Sequence, residues 1–149
     1  MRLYLVHHAD AVGPEVDPRR PLSPMGRLEA DMHASEAARR GARPGVVWHS
    51  GKLRARQTAE AYWRACNALA DFAATRDLQP GDPPEWMRER LRGESRDVMI
   101  VGHFPHMPAL LSSCLGDRGG LERFPLHGVV ALVSDDLGET FRIDWRVPG

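Results

Sequence analysis

The chain has 149 residues, 42% of them hydrophobic and 27% charged, which is the usage of an ordinary globular domain and not of a disordered chain. Twenty Lys and Arg balance twenty Asp and Glu, so the basic excess that a nucleic-acid surface calls for is missing and no nucleic-acid partner is expected. The apolar runs are strand-sized and no signal-peptide pattern opens the chain, so a cytoplasmic protein without a membrane partner is expected.

A first strand is predicted over residues 2–7, where the apolar run Leu3 to Val6 stops at His7-His8-Ala9-Asp10. Arg19-Arg20-Pro21-Leu22 is a connection. Ser23-Pro24 then signals a helix start, with serine as N-cap and proline at the first helical position. Leu28, Met32, Ser35 and Ala38 follow at helical spacing, and Arg39-Arg40 with Gly41 just beyond mark the end. Strand Val46-Val47-Trp48 runs into His49-Ser50-Gly51. A helix is predicted from about Leu53 to Ala70 on the spacing of Ala55, Ala59, Tyr62, Trp63, Cys66 and Leu69. Residues 71–82 are mixed. Pro83-Pro84 opens a short helix through Leu91, closed by Gly93.

Strand Val98 to Val101 ends at Gly102-His103-Phe104-Pro105, and a helix covers about Met107 to Leu115. Asp117-Arg118-Gly119-Gly120 reads as a loop. Phe124 to Val133 and Thr140 to Val147 read as strands joined by a turn at Asp135-Asp136-Leu137-Gly138. The order β-α-β-α-α-β-α-β-β predicts one α/β domain over residues 1–149. It is a three-layer sandwich whose central sheet is mostly parallel, with one antiparallel strand near the C-terminus. Cys66 and Cys114 lack metal-ligand spacing and are expected to be buried thiols.

Ligands of open α/β sheets bind at the carboxyl ends of the strands. Three strands here end at His7-His8, at Ser50 followed by Arg54, and at His103. Arginine's planar fork suits a phosphate, and histidine serves as a neutral nucleophile or a cationic clamp. Together these residues suggest an oxyanion site, most simply a phosphoryl site.

The ordered set resembles the histidine phosphatase (phosphoglycerate mutase-like) superfamily. It comprises a strand ending in a His-containing tripeptide and Asp, then Arg20-Pro21-Leu22-Ser23-Pro24-Met25-Gly26, then Ser50-x-x-Leu53-Arg54-Ala55-x-Gln57-Thr58, then Gly102-His103-x-Pro105. The small size resembles the SixA-type phosphohistidine phosphatases, and the resemblance spans nearly the whole chain. It implies a metal-independent phosphatase without a cofactor. His8 would attack phosphorus and become a phosphohistidine. Arg54 and His103 would stabilise the transferring group, and Ser50 would stand at the mouth of the pocket. His7, His8, Ser50, Arg54 and His103 would bind the phosphate. The partner would be a phosphorylated small molecule or a phosphohistidine-bearing protein. The family's Arg-His-Gly signature is replaced by His7-His8-Ala9, and a protonated His7 is expected to take over part of the arginine's role. Gly51 stands where many relatives have proline.

Two rival functions are set against this one. A zinc hydrolase would draw on His7, His8, Asp10, His103 and His106, but such a site has no use for Arg54, and neighbouring strand residues point to opposite faces. A catalytically weak or inactive relative would bind phosphate or a phosphorylated partner without turnover. Arg56 reads as a solvated helix residue, and Arg19 and Arg20 as surface charges, Arg20 being placed to touch a substrate. Asp10 reads as a turn former and Glu85 as a helix-start carboxylate. Trp48, Trp63 and Trp86 read as packing residues.

Overall fold

The computed structural model describes residues 1–116 and 123–149; the loop expected at 117–120 lies outside the described residues. The strands are β1 (Arg2–His7), β2 (Val46–His49), β3 (Asp71–Ala74), β4 (Val98–Gly102), β5 (Val129–Val133) and β6 (Arg142–Val147). The helices are α1 (Pro24–Arg39), α2 (Leu53–Cys66), α3 (Pro84–Leu91) and α4 (His106–Leu115). One six-stranded sheet has the order β3-β2-β4-β1-β5-β6. β3, β2, β4 and β1 run parallel, and β5 is antiparallel to both of its neighbours. This is the expected mostly parallel sheet with one reversed strand. No helix among the described residues is long and apolar enough to cross a membrane.

Strand alternation divides the core into two layers. Leu3, Leu5, Val98, Ile100, Val130 and Leu132 face Leu78, Met87, Leu91, Met107, Leu110 and Leu111 on the α3–α4 side. Tyr4, Val6, Val47, Met99, Val101, Val129 and Ala131 face α1 and α2. The interiors of the central strands, Leu3 to Val6 and Val98 to Val101, are therefore continuous apolar runs, as a sheet covered on both faces requires.

Three expectations need correction. Leu28 and Met32 do not define the buried face of α1: they are 60% and 67% exposed, while Gly26, Ala30, Ala34 and Ala37 turn inward. Small residues let α1 approach α2, whose buried face is also largely alanine. Secondly, α2 stops at Cys66 rather than at Ala70. Asn67 adopts an extended conformation, its side-chain NH2 donates to the Pro44 carbonyl, and its side-chain oxygen accepts from Leu69 N. A side chain that bonds locally competes with the helical ladder. Thirdly, the mixed stretch after it contains the edge strand β3, too short and too alanine-rich to show a strand pattern. The fifth and sixth strands also begin later than expected, at Val129 and Arg142.

Ser23 caps α1 as expected, its Oγ accepting from Gly26 N at 3.0 Å. Gly26 faces the backbone of Asp10, and a Cβ there would overlap the Asp10 carbonyl oxygen. That oxygen also accepts from Ser23 N at 3.0 Å, so it is not free to move. Replacing glycine by alanine inside a helix ordinarily gains about 1 kcal/mol, whereas overpacking costs about 1–3 kcal/mol. The clash is with backbone and should win. Gly26→Ala is expected to lower unfolding stability by about 1–2 kcal/mol in urea titration. A stabilised variant would show that the loop after β1 is not held where the structure places it.

Candidate active site

Parallel pairing aligns the ends of three strands: His7 lies opposite Gly102 across β1–β4, and His49 opposite Val101 across β2–β4. The next residue of each chain segment, His8, His103 and Ser50, therefore emerges at one sheet edge. His8 N donates to Gly102 O at 3.0 Å, which fixes the two histidine-bearing loops together. The His8 and His103 rings lie 5.1 Å apart, and Ser50 Oγ shares a 2.6 Å hydrogen bond with His103 Nε2. The first turn of α2 brings in Arg54, whose charge acts on both imidazoles. The structure thus gathers His7, His8, Ser50, Arg54 and His103 in one place.

The rest of the α2 motif holds loops rather than a ligand. Gln57 Oε1 accepts from Leu22 N at 2.8 Å. Thr58 Oγ1 accepts from Ala9 N at 3.0 Å and donates to Arg54 O at 2.8 Å. Ala55 is buried in the core. Asp10 belongs to the same lashing, its Oδ2 accepting from Ser23 Oγ at 2.7 Å, which agrees with the turn reading. Ala9 needs no left-handed backbone, since the non-glycine residues at positive φ are Arg20, Asp77, His127 and Leu137. Gly51 does: at φ +90° it holds a conformation closed to proline, whose ring fixes φ near −65°. The turn after β2, as it stands, would therefore not accept proline at position 51.

The chemistry rests on tautomers that hydrogen bonds impose. His8 Nδ1 lies 2.7 Å from its neighbour's carbonyl at Ala9, so Nδ1 carries the proton and Nε2 keeps its lone pair. Burial, opposed by that bond and reinforced by Arg54, His127 and Arg20, lowers the His8 pKa to about 4. At neutral pH His8 is an uncharged imidazole. His103 is pushed down to about 3, by burial first and then by His8, Arg54, Lys52 and His106. When Ser50 donates to its Nε2, its Nδ1, buried without a partner, carries the proton and is left as a donor. Arg54 is lowered by burial and then by Arg20, and its Nε is buried without a hydrogen-bond partner. Two guanidiniums and a lysine therefore act on two neutral imidazoles.

Arg20 lies near enough for its charge to act on His8 and Arg54. Its backbone is left-handed, at φ 50°, and its Nε donates to Val12 O at 3.0 Å. Arg19 is 79% exposed beside Asp17, and Arg56 is 61% exposed and paired with Glu60, so both are solvated as expected. Trp86, expected to pack, is 53% exposed.

His7 departs from expectation. It is buried, stacked at 4.0 Å on Phe104 and at 4.9 Å on His127. Burial, then His8, His127 and His103, lowers its pKa to about 3. Its Nδ1 accepts from His127 N at 2.8 Å, so the proton of the neutral ring sits on Nε2. His7 is a single neutral donor and not the cation expected in place of arginine. His127 was not singled out in the sequence. It lies outside every motif piece, and no pattern links it to residues 120 positions away.

Ring nitrogens of His7, His8 and His127 lie within 4.8 Å of one another. This set omits Asp10, His103 and His106 of the expected zinc cluster, and His106 is buried with both ring nitrogens unpartnered. Zinc does not suit the trio either. A ligating Nε2 on His7 would move its proton to Nδ1, opposite the His127 N–H that Nδ1 now accepts. A groove of about 690 Å³ lies at the other end of the sheet beside Arg88, Asp135 and Arg142. Its Arg142 is already paired with Asp135 at 2.6 Å.

Histidines with lowered native pKa values oppose folding in acid. The unfolded chain takes up protons near pH 6.5, whereas His7, His8 and His103 stay neutral down to about 3–4. Stability contributed by these groups is therefore complete above about pH 6.5 and lost as the pH falls toward their native values. A drop of about 2–4 kcal/mol between about pH 7 and about pH 5 is expected in urea unfolding, with a shallower slope in His103→Gln. A flat profile would show that these imidazoles are accessible to protons.

No family model and no curated relative matches the chain. Solved structures do. A protein named as the phosphohistidine phosphatase SixA of Agrobacterium tumefaciens is 28% identical, with TM-score 0.78, over 97% of this chain and 96% of that one. A SixA protein histidine phosphatase complexed with tungstate is 21% identical, with TM-score 0.82, over 98% and 96%. A phosphoglycerate mutase from Plasmodium falciparum is 17% identical, with TM-score 0.73, over 97% and 88%. With three strands delivering His8, Ser50 and His103 to one sheet edge, and with SixA and phosphoglycerate mutase structures matching along nearly its whole length, the chain has the histidine phosphatase (phosphoglycerate mutase-like) fold and is similar to the SixA phosphohistidine phosphatases.

Proposed function

We propose that the protein is a metal-independent phosphatase that works through a phosphohistidine at His8, on a phosphomonoester or a protein phosphohistidine. The observation that carries this is the His8 tautomer: Nδ1–H is tied to the Ala9 carbonyl, which leaves the neutral Nε2 with its lone pair, on a ring that Arg54 and Arg20 act on and that lies 5.1 Å from the His103 ring. In the first step that lone pair forms the N–P bond as the bond from phosphorus to the leaving group breaks. In the second, water attacks phosphorus, the N–P bond breaks, and inorganic phosphate leaves with His8 restored. Phosphoryl transfer needs mainly positioning and neutralisation of the equatorial oxygens, which guanidiniums and an imidazole N–H supply without a metal. The tungstate bound by the SixA relative, an oxyanion, supports an oxyanion site here. Two SixA proteins matched along nearly the whole chain support a phosphorylated protein as the partner.

A second reading, oxyanion binding with little turnover, is favoured by one feature. The signature arginine is replaced by a buried neutral His7 with one N–H to give. Losing one strong oxyanion donor costs about 3–4 kcal/mol of transition-state stabilisation.

Hydrolysis of an aryl phosphate with chelator present separates the readings. Wild type is expected to retain activity in chelator, and His8→Ala to lose at least about three orders of magnitude. Arg54→Ala should lose about two to three orders of magnitude in kcat/KM. Activity abolished by chelator and restored by zinc would overturn the metal-free mechanism. Oxyanion binding by the wild type without hydrolysis of any phosphate tried would establish the second reading.

A further inference from the structure

We propose that His127 is an anion-binding residue of this site, taking up a proton as the oxyanion arrives and donating from Nε2 in place of the missing signature arginine. The inference rests on the oxyanion-site reading above.

The first support is position. One ring nitrogen each of His7, His8 and His127 lies within 4.8 Å of the others, and the His127 and His8 ring centroids are 6.2 Å apart, which puts the His127 ring beside that of His8. The second is orientation. His127 Nδ1 lies 2.8 Å from the His8 carbonyl, which makes Nδ1 the protonated nitrogen and leaves Nε2 without a hydrogen bond among the described residues. The third is how the residue is held. Its ring stacks on His7 at an interplanar angle of 8°, its N–H donates to His7 Nδ1, and its carbonyl accepts from His33 Nδ1 at 2.9 Å. His7 N donates to Gly128 O at 2.9 Å, binding the same turn to the end of β1. The fourth is backbone cost. His127 sits at φ 56°, uncommon for a residue with a Cβ and a frequent mark of functional positions.

A neutral His127 would present a lone pair to an oxyanion and repel it. A protonated one presents an N–H. The groups around it are the imidazoles of His7 at the end of β1, His8 just after it and His33 from α1, with His103 next to His8 and with Arg54 and Arg20 acting on His8. No carboxylate is hydrogen-bonded to His127 among the described residues, so the anion itself is what favours the proton. His7 cannot play this part, because its second nitrogen is already committed as an acceptor.

The test is sulfate binding by calorimetry from about pH 5.5 to about pH 8.5, a range over which the probe's own charge is fixed. Wild-type affinity is expected to rise about tenfold or more as the pH falls through this range. His127→Asn, which tolerates the left-handed backbone and keeps the N–H to His7, should bind with little pH dependence and about tenfold more weakly at the acid end. In ¹⁵N spectra of the wild type, sulfate should shift the His127 side chain to the imidazolium form. A pH slope that persists in His127→Asn, or a His127 ring left neutral by sulfate, overturns the inference while Arg54-dependent binding leaves the oxyanion site standing. Absence of sulfate binding at every pH overturns both.

Discussion

The site depends on imidazoles kept neutral by burial while guanidiniums stand beside them. Desolvation is the largest influence on His7, His8 and His103, and each is also pushed down by a neighbouring charge or ring. A nucleophilic histidine must keep its lone pair, and here burial secures it without a carboxylate partner. The same burial leaves Arg54 Nε and His103 Nδ1 without partners. Buried unpaired polar atoms destabilise a fold, and these two lie at the sheet edge where His8 and Ser50 also emerge.

Positioning comes from the sheet and from three side chains that touch no ligand in this account. Parallel pairing of β1 with β4 and of β4 with β2 brings the two histidine loops and Ser50 to one edge. Asp10, Gln57 and Thr58 then bind the loop after β1 to the starts of α1 and α2. The alanine faces of the two helices make this possible. A larger side chain at Ala30 or Ala34 would push α1 outward and carry Ser23, and with it Asp10, away from the site.

Much of this was legible in the sequence, for physical reasons that can be named. Strands buried on both faces are continuous apolar runs, so β1, β2 and β4 showed themselves, and with them the residues at their ends. Ser23-Pro24 announced α1. The inward face of α1 did not, because the pattern of large apolar residues led to Leu28 and Met32, whereas close helix packing selected alanine. β3 has no apolar alternation, being a four-residue edge strand. His127 was hidden because its meaning arises only from contacts with His7 and His8, far away along the chain. The neutrality of His7 was hidden for the same reason: an isolated histidine titrates near neutrality, and only stacking and burial decide otherwise.

The replacement of arginine by His7 then acquires a physical logic. Arg20 and Arg54 already repel each other, and burial disfavours the charge on Arg54. A third guanidinium at position 7, between Phe104 and His127, would add a buried charge with no counter-ion in the unliganded protein. A neutral imidazole there avoids that penalty and offers one fixed N–H. The charge that phosphoryl chemistry still requires is then best carried by a group that is neutral when the site is empty and cationic when it is filled. His127 lies at the margin of the site, neither buried nor fully exposed, whereas His7 is buried. On this account the chain exchanges a permanent charge for a conditional one. It gains stability without ligand and gives up oxyanion affinity as the pH rises.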